Sequence, residues 1–491
     1  MTPADLPASF DLAGGRRGRI GAVLGPAAFA AMLLAGAPAG MEDAAWRTAA
    51  TGTLMAIWWI AEPLPLPATA LLPIVLFPLL GVETVEEAAA PFAHPIVFLF
   101  LGGFLLALGL ERHGLHRRLA LSLLSRTGSR PPGIVAGFLA TAALLSMGLS
   151  NTATALLLLP IGISVFVLAG CSPHSDRDAA AGDLGPALLL AIAFGASIGG
   201  IGTLIGTPPN ALTAAFLEQT YGIRIGFARW MAIGVPIVVV ALPAAWVILT
   251  RVAFRLSREP LPGMEEMVAR DRAALGPPSA AERRVAAVFA GAATLWLAGP
   301  LFARWIPGLA DAGVAVAAGV ALFLLPAGGP ERGRLLDWAA AARLPWGVLL
   351  LFGGGLSLAD AIQRTGLAEW LAGALGGLAG WPLPALLLVV ALVVIGLSEL
   401  ASNTATAAAF LPVIGALAIG AGEDPALMVV AAGLAASGGF MLPVATPPNA
   451  IVYGSGGVTV PQLARAGGLL DVVFALLVPL AALFLVARVL G

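Results

Sequence analysis

The chain has 491 residues, of which 59% are hydrophobic and 11% are charged, and its mean hydropathy is +0.95. Soluble domains contain roughly 25% charged residues, so this composition predicts a polytopic membrane protein. The net charge is −1, the only cysteine is Cys171, and no phosphate-binding loop motif is present. These features exclude an intramolecular disulfide and a thiolate metal cluster, and we expect no enzymatic activity, cofactor or nucleic-acid partner.

Eleven apolar stretches have the length of a membrane crossing, which needs about 20 residues. They are 20–37, 46–62, 65–81, 95–111, 186–217, 229–253, 284–303, 310–326, 345–362, 425–453 and 467–489. Two further apolar stretches, 132–170 and 382–419, are nearly twice as long as one crossing requires, and each carries a Ser-Asn-Thr triplet near its midpoint. The predicted fold class is therefore an all-α polytopic membrane protein with about 11 transmembrane helices plus two special segments.

The arginines predict the orientation of the spans. Arg16, Arg17 and Arg19 precede the first span, so we expect the segment 1–19 to be cytoplasmic. The Arg-rich connection 254–283 and the loops that follow it lie on the expected sides only if both long apolar stretches make no net crossing. We therefore predict that 132–170 and 382–419 are re-entrant hairpins, one in each half of the chain, with the halves spanning 20–253 and 284–491.

The two halves resemble each other in sequence. "LFLGGFLLALGLERHGL" at 99–115 aligns with "LFGGGLSLADAIQRTGL" at 351–367, and Asn151 aligns with Asn403 at the same offset of 252. Further along, "IGTPPNA" at 205–211 aligns with "VATPPNA" at 444–450. An odd number of crossings separates the two copies, so the second repeat is inverted. Inverted repeats with interrupted helices are typical of secondary transporters.

The repeated motifs predict helix ends inside the membrane. Ser, Asn and Thr are favoured N-cap residues, and consecutive prolines break a helix but suit its first turn. The "TPPN" motifs therefore predict broken helices at 186–217 and 425–453. Four helix N-termini, each carrying roughly +0.5 elementary charge, would suit a dianion, and unwound carbonyls with Ser and Asn oxygens would suit a small cation.

Each motif also has a simpler interpretation. A single Ser, Thr or Pro in a membrane helix is more often a packing residue or a kink than part of a site. Two copies of each motif in register across a repeat favour a site. Glu62 and Glu399 lie in or near the membrane, which suggests function, but structural hydrogen bonding explains them equally well.

These motifs resemble the divalent anion/sodium symporter family over residues 46–490. The most specific part is "ASGGFMLPVATPPNAIV" at 436–452, and "WWIAEPLPLPATALLP" at 58–73 and both Ser-Asn-Thr triplets are also similar. The resemblance implies a homodimer in a bacterial inner membrane, working by an elevator mechanism. It implies sodium sites at Ser146, Ser150, Asn151, Gly206, Ser398, Ala401, Asn403 and Ala445. It implies substrate contacts at Asn151, Thr152, Thr207, Asn403, Thr404, Thr446 and Pro447.

The functional prediction is sodium-coupled import of a divalent anion, with a C4-dicarboxylate such as succinate, malate or fumarate as the expected substrate. Sulfate or citrate transport and sodium-independent dicarboxylate exchange remain alternatives. A third alternative, from another class, is the membrane subunit of an ATP-driven oxyanion pump. The sequence leaves the exact anion, the sodium stoichiometry and the direction of transport open.

Overall fold

A computed structural model describes residues 16–169, 183–302, 306, 308–328, 333–378 and 380–490. Residues 1–15 of the predicted cytoplasmic N-terminal segment, and residues 170–182, which include Cys171, lie outside the described residues. The described chain is almost entirely helical. Its α-helices are α1 (Arg16–Ala35), α2 (Asp43–Ala61), α3 (Leu66–Thr69), α4 (Leu72–Leu79), α5 (Val85–Ala89), α6 (Pro95–Arg112), α7 (Leu115–Leu124), α8 (Pro131–Ser146), α9 (Asn151–Leu168), α10 (Leu184–Gly200), α11 (Pro208–Tyr221), α12 (Phe227–Val247), α13 (Met264–Ala274), α14 (Ala280–Phe302), α15 (Asp311–Leu324), α16 (Trp338–Ala341), α17 (Trp346–Arg364), α18 (Leu367–Ala374), α19 (Leu383–Leu400), α20 (Asn403–Ala421), α21 (Pro425–Ala435), α22 (Pro447–Gly454), α23 (Val460–Ala481) and α24 (Ala487–Leu490).

Eight helical segments of the described chain are long and apolar enough to cross a membrane. They are α1, α6, α9, α12 with its continuation to Val252, α17, α19, α20, and the segment from α23 through α24. Further apolar segments of 10–17 residues include α8, α10, α15 and α21. This pattern is that of a multi-pass membrane protein.

Two pairs of antiparallel helices occupy the regions of the Ser-Asn-Thr triplets. Hairpin 1 consists of α8 and α9, joined by the turn 147–150, and hairpin 2 consists of α19 and α20, joined by residues 401–402. In hairpin 1 the backbone of Ser150 is extended, and its side-chain oxygen accepts a hydrogen bond from the N–H of Ala153 at 3.1 Å. This bond caps the N-terminus of α9 and explains why a new helix starts at Asn151.

Two further helices are interrupted at the "TPPN" motifs. Broken helix 1 consists of α10 and α11 with the unwound segment 201–207 between them, and broken helix 2 consists of α21 and α22 with the unwound segment 436–446. Thr207 and Thr446 have extended backbones, and prolines fill the first two positions of the helix that follows each of them. Proline lacks an N–H that the first helical turn would leave unpaired in any case.

The core of the molecule lies around α10, in which every residue is buried. Each hairpin packs on the broken helix of its own repeat, with α8 and α9 on α10, and α19 and α20 on α21. The packing of the two repeats is crossed, which means that elements of one repeat contact elements of the other. Helices α9 and α10 contact α22, and α20 contacts α11. Phe194 of α10 and Phe440 of unwound segment 2 meet edge to face with ring centroids 5.5 Å apart.

Candidate functional site

Asn151, the first residue of α9, places its side-chain amide among oxygen atoms of hairpin 1 and broken helix 1. Its amide lies 2.5 Å from the hydroxyl oxygen of Ser146. The amide orientation that makes the most hydrogen bonds also directs its nitrogen to the carbonyl oxygens of Ala196 at 3.1 Å and Gly206 at 3.3 Å. Three of the four residues of the predicted first sodium site, Ser146, Asn151 and Gly206, are therefore in contact.

Glycine at position 200 is required for this contact. A Cβ atom on Gly200 would lie 2.5 Å from the polar end of the Asn151 amide, and a Cβ on Gly206 would overlap the carbonyl oxygen of Gly200. Real Cβ atoms do not approach other atoms this closely, so a larger residue would push the hairpin tip away from the unwound segment. The two glycines thus keep the polar groups of hairpin 1 against the backbone of broken helix 1.

Asn210, the last residue of the first "TPPN" motif, stabilises unwound segment 1. Its buried amide nitrogen donates to the carbonyls of Gly200 at 2.9 Å, Ile201 at 3.3 Å and Thr203 at 2.7 Å. Backbone groups that leave a helix inside a membrane need such partners, since no bulk water is available. The amide therefore replaces the hydrogen bonds that the interrupted helix gives up.

Asn449, the last residue of the second "TPPN" motif, has the same role in repeat 2. Its amide nitrogen donates to the carbonyls of Phe440 at 3.3 Å and Leu442 at 3.1 Å. Its backbone N–H donates to the hydroxyl of Thr446 at 3.3 Å, which caps α22. Thr207 occupies the corresponding N-cap position in repeat 1, but its side chain makes no capping bond there.

The tip of hairpin 2 carries two buried polar atoms that lack a hydrogen-bond partner. These are the hydroxyl oxygen of Ser398 and the side-chain carbonyl oxygen of Asn403, two residues of the predicted second sodium site. A Cβ on Gly439 would lie 3.3 Å from the carbonyl oxygen of Ser398 and 3.2 Å from the Cβ of Ala445, so the hairpin tip and unwound segment 2 are adjacent. Ala401 and Ala445 are both buried at this junction.

The predicted substrate residues all lie at helix N-termini. Asn151 and Thr152 begin α9, Asn403 and Thr404 begin α20, Thr207 precedes α11, and Thr446 and Pro447 mark the start of α22. The crossed packing of the repeats brings α9 to α22 and α11 to α20. Thr207 and Thr446 are each only 3% exposed, whereas Pro447 is exposed.

The sequence left the roles of Glu62 and Glu399 open, and the structure shows a backbone hydrogen bond for Glu62 and side-chain hydrogen bonds for Glu399. Glu62 has a left-handed backbone, with φ of 52° and ψ of 49°, and ends α2 through a hydrogen bond from its N–H to the carbonyl of Trp58. Nearby, Arg17 donates to the carbonyls of Ile60 and Leu400, which links α1 and α2 to hairpin 2. The carboxylate of Glu399 is 4% exposed and accepts two backbone hydrogen bonds from unwound segment 2.

Sequence reasoning missed several residues that hold the two unwound segments in place. Asn210 and Asn449 were visible as the fourth letter of both "TPPN" copies, but only the Thr and Pro letters were given roles. Thr203 donates to the carbonyl of Met147, and Asp471 accepts the N–H of Phe440. Neither residue has a matching polar residue at the corresponding position of the other repeat, so no repeated motif indicates them. Their roles become clear only from the hydrogen bonds that they make.

Two hairpins that pack on two interrupted helices, in a multi-pass membrane protein, define a transporter-type fold. Solved structures with a similar fold include the YdaH transporter of Alcanivorax borkumensis, with a TM-score of 0.57, 15% identity and coverage of 87% of this chain and 97% of that chain. MtrF of Neisseria gonorrhoeae has a TM-score of 0.54, 14% identity and coverage of 92% and 97%.

The chain belongs to the sodium:sulfate symporter family, since the model of that family's transmembrane region matches residues 20–489. The family resemblance noted in the sequence is thereby confirmed. A sodium-dependent dicarboxylate transporter, SdcS, of Staphylococcus saprophyticus is 39% identical over 477 residues, covering 96% of this chain and 92% of the relative. SdcS of Staphylococcus aureus strain USA300 is 38% identical over 480 residues, with the same coverage.

Proposed function

We propose that the protein is a sodium-coupled symporter that imports a divalent anion, with a C4-dicarboxylate such as succinate, malate or fumarate as substrate. The observation that carries this proposal is the cluster of uncharged oxygen atoms where each hairpin tip meets an unwound segment. Oxygen ligands from carbonyls, amides and hydroxyls suit small hard cations. Sodium would be a transported ion rather than a resident cofactor.

The first sodium site is proposed at Ser146, Ser150, Asn151 and Gly206. A half-turn of the Asn151 amide would direct its oxygen, instead of its nitrogen, at the carbonyls of Ala196 and Gly206. Several oxygens would then face one another without a hydrogen between them. A cation satisfies such a cluster, so the amide would offer its nitrogen when sodium is absent and its oxygen when sodium is bound.

The second sodium site is proposed at Ser398, Ala401, Asn403 and Ala445. The unpartnered oxygens of Ser398 and Asn403 support this proposal, because a buried polar atom without a partner is costly. A sodium ion between them would satisfy both. The carbonyl groups of Ala401 and Ala445 are buried at the same junction and would complete the set.

The proposed substrate residues are Asn151, Thr152, Thr207, Asn403, Thr404, Thr446 and Pro447. They lie at four helix N-termini, each equivalent to roughly +0.5 elementary charge, so the helices could balance about two negative charges. Asn151 and Asn403 belong to both the sodium and the substrate sets. We therefore assign to them the coupling between ion and anion.

The relatives support the choice of anion. Both SdcS proteins are named as sodium-dependent dicarboxylate transporters at 38–39% identity, whereas the family description names sulfate. The names of individual relatives are more specific than the description of a whole family, so they favour a dicarboxylate as the substrate. As finer proposals, the protein is a homodimer in a bacterial inner membrane with a cytoplasmic N-terminus, its two long apolar stretches are re-entrant hairpins, and its transport follows an elevator mechanism.

The test is uptake of labelled succinate into proteoliposomes with an inward sodium or potassium gradient. We expect uptake to rise steeply with external sodium, and to fall by about tenfold or more in Asn151→Ala and in Asn403→Ala, since loss of a buried partner costs about 1–3 kcal/mol. Thr294→Ala is the matched control, because Thr294 lies on the exposed face of α14 and bonds only within its own helix.

The alternatives give different results in the same assay. A flat sodium response with succinate counterflow would indicate exchange, and strong competition by sulfate or citrate would identify a different anion. A requirement for ATP would indicate a pump subunit. Near-normal uptake by either asparagine variant, with normal folding, would contradict the assignment of the site.

A further inference from the structure

Each unwound segment is tied to its hairpin, but the two repeats use different chemistry. In repeat 1 the hydroxyl of Thr203 donates to the backbone carbonyl of Met147 at 2.6 Å. In repeat 2 the backbone N–H groups of Met441 and Leu442 donate to the two carboxylate oxygens of Glu399, each at 2.7 Å. Met147 and Glu399 occupy corresponding positions of the repeat, since the offset of 252 that relates Asn151 to Asn403 relates them as well.

Glu399 is well suited to this role. Its carboxylate is almost completely buried, and each of its two oxygens accepts one N–H group. Hydrogen bonds to an ionised acceptor are shorter and stronger than neutral ones, which agrees with the 2.7 Å distances. Asn449 meanwhile binds the carbonyls of Phe440 and Leu442, so the same short segment is held through its N–H groups from one side and its C=O groups from the other.

Asp471 of α23 extends this arrangement to a third element. Its carboxylate accepts the N–H of Phe440 at 3.1 Å. Two carboxyl side chains, Asp471 and Glu399, thus bind the N–H groups of three consecutive residues of unwound segment 2, 440–442.

Repeat 1 has no equivalent of Asp471. A Cβ on Gly467 would overlap the carbonyl of Phe440, and a Cβ on Gly234 would overlap the carbonyl of Ile201, so these two glycines match across the repeats. On that alignment the residue that corresponds to Asp471 is Val238, which cannot form a hydrogen bond through its side chain. The link from the unwound segment to the following long helix by a carboxyl group is therefore specific to repeat 2.

We propose that Glu399, supported by Asp471, is a positioning residue that fixes the distance between the tip of hairpin 2 and unwound segment 2, and thereby sets the sodium affinity of the second site. Glu399 adjoins Ser398 in hairpin 2, and Leu442 precedes Ala445 by three residues in unwound segment 2. The carboxylate of Glu399 therefore joins the two elements that supply the site. Ion sites need their ligands held within about 0.5 Å. This inference rests on the proposed function.

A purely structural role makes a different prediction. If Glu399 only satisfied buried N–H groups, its loss would lower stability equally with and without sodium. If Glu399 positions the ion site, its loss also weakens the response to sodium. A ligand that binds only the folded state stabilises it more when its affinity is higher, so the sodium-dependent rise in melting temperature separates the two roles.

The experiment compares four variants of the full-length protein. Glu399→Gln places an amide NH2 against a backbone N–H, so we expect at least a tenfold rise in the sodium concentration for half-maximal succinate uptake and a smaller thermal stabilisation by sodium chloride. Asp471→Asn keeps a side-chain oxygen that can accept the N–H of Phe440 and should stay within about twofold of the wild type. Asp471→Val, which copies repeat 1, should shift toward Glu399→Gln. Glu369→Gln removes a charge from an exposed position of α18 and serves as the control.

Two results would overturn the proposal. One is a Glu399→Gln protein with lower stability but an unchanged sodium response, and the other is an Asp471→Val protein that behaves like Asp471→Asn. If Glu399→Gln does not fold, the contrast between the two Asp471 variants decides the question. If the wild type shows no sodium response at all, the proposed function fails, and thermal stabilisation by succinate is compared instead. Glu399→Gln should then lose the stabilisation by succinate, because segment 440–442 leads to Thr446. A Glu399→Gln protein that succinate stabilises as much as the wild type would overturn the positioning role.

Discussion

Glu83 lies in the turn between α4 and α5 and is 8% exposed, and neither of its carboxylate oxygens has a hydrogen-bond partner. Burial raises the pKa of Glu83 to about 7, with a further contribution from the negative charge of Asp360 on α17. The charge of Arg364 opposes this rise but is also engaged by Glu87 and Asp360. Glu83 is therefore a carboxyl group that the folded protein holds more easily in its neutral form.

This feature predicts a pH dependence of stability. Because the pKa of Glu83 is higher in the folded than in the unfolded chain, its contribution to stability is complete below about pH 4.5 and is lost as the pH rises through about 7. The melting temperature of the wild type should therefore fall between about pH 5 and pH 8 more steeply than that of Glu83→Gln. Parallel curves for the two proteins would show that Glu83 titrates normally.

At the scale of helices, α8 of hairpin 1 and α10 of broken helix 1 pack backbone against backbone. A Cβ on Gly199 would overlap the backbone of Ala143, and one on Gly195 would lie 2.5 Å from the carbonyl of Leu139. Small residues allow such backbone contacts between membrane helices, where van der Waals packing rather than hydrophobicity drives association. The stripe "GASIGG" at 195–200 thus fixes the position of the hairpin.

Gly199→Ala should therefore destabilise the protein, although alanine usually favours a helix. The added methyl meets backbone atoms that cannot rotate away, and overpacking of this kind typically costs about 1–3 kcal/mol. Gly291→Ala in α14 is the control, because no atom lies within 4 Å of the new Cβ, and it should be neutral or slightly stabilising. Thermal unfolding in detergent measures both, and equal melting temperatures would contradict the close packing.

The helix starts at the repeated motifs agree with capping and proline chemistry, which is local and can be read from the sequence. Asn151 and Asn403 begin helices, and Pro208 and Pro447 follow unwound segments, as the motifs indicated. The capping bonds themselves were less predictable. The side chains of Ser150 and Thr446 make capping hydrogen bonds, whereas those of Ser402 and Thr207 do not. Whether a single capping bond forms depends on how each helix start packs against its neighbours.

At the scale of the whole molecule, the crossed packing of the two repeats gives each hairpin a neighbour from the other half of the chain. This arrangement agrees with an inverted repeat, in which corresponding residues of the two halves approach the site from opposite sides. The orientation of the repeats remains a prediction from the arginine distribution, and it can be tested separately from transport.

Cysteines at positions 152 and 404, introduced singly into a Cys171→Ser background, provide this test. We expect the two positions to react with a membrane-impermeant thiol reagent from opposite faces of the membrane when the protein is locked in opposite states. A cysteine at position 86, exposed on α5 between two predicted spans, should react equally in both states. Identical accessibility of positions 152 and 404 in every state would exclude the inverted arrangement.

The sequence could select the repeated motifs for which a site is proposed but not how they are held. The register of the repeat paired Asn151 with Asn403, since identical letters recur at one offset. The partners of Glu399 are backbone N–H groups, which have no sequence signature, and Asp471 lies on a different helix. Contacts to an irregular backbone depend on its conformation, which local propensities do not specify.

The glycine contacts between α8 and α10 have a further thermodynamic consequence. Where backbone meets backbone, no flexible side chains remain to be ordered when a ligand arrives, so the conformational entropy of hairpin 1 is lost during folding and not during each transport cycle. Ion binding at the proposed first sodium site should then carry only a small entropy penalty from the protein. Repeated loading and release can thus occur without the hairpin being rebuilt each time.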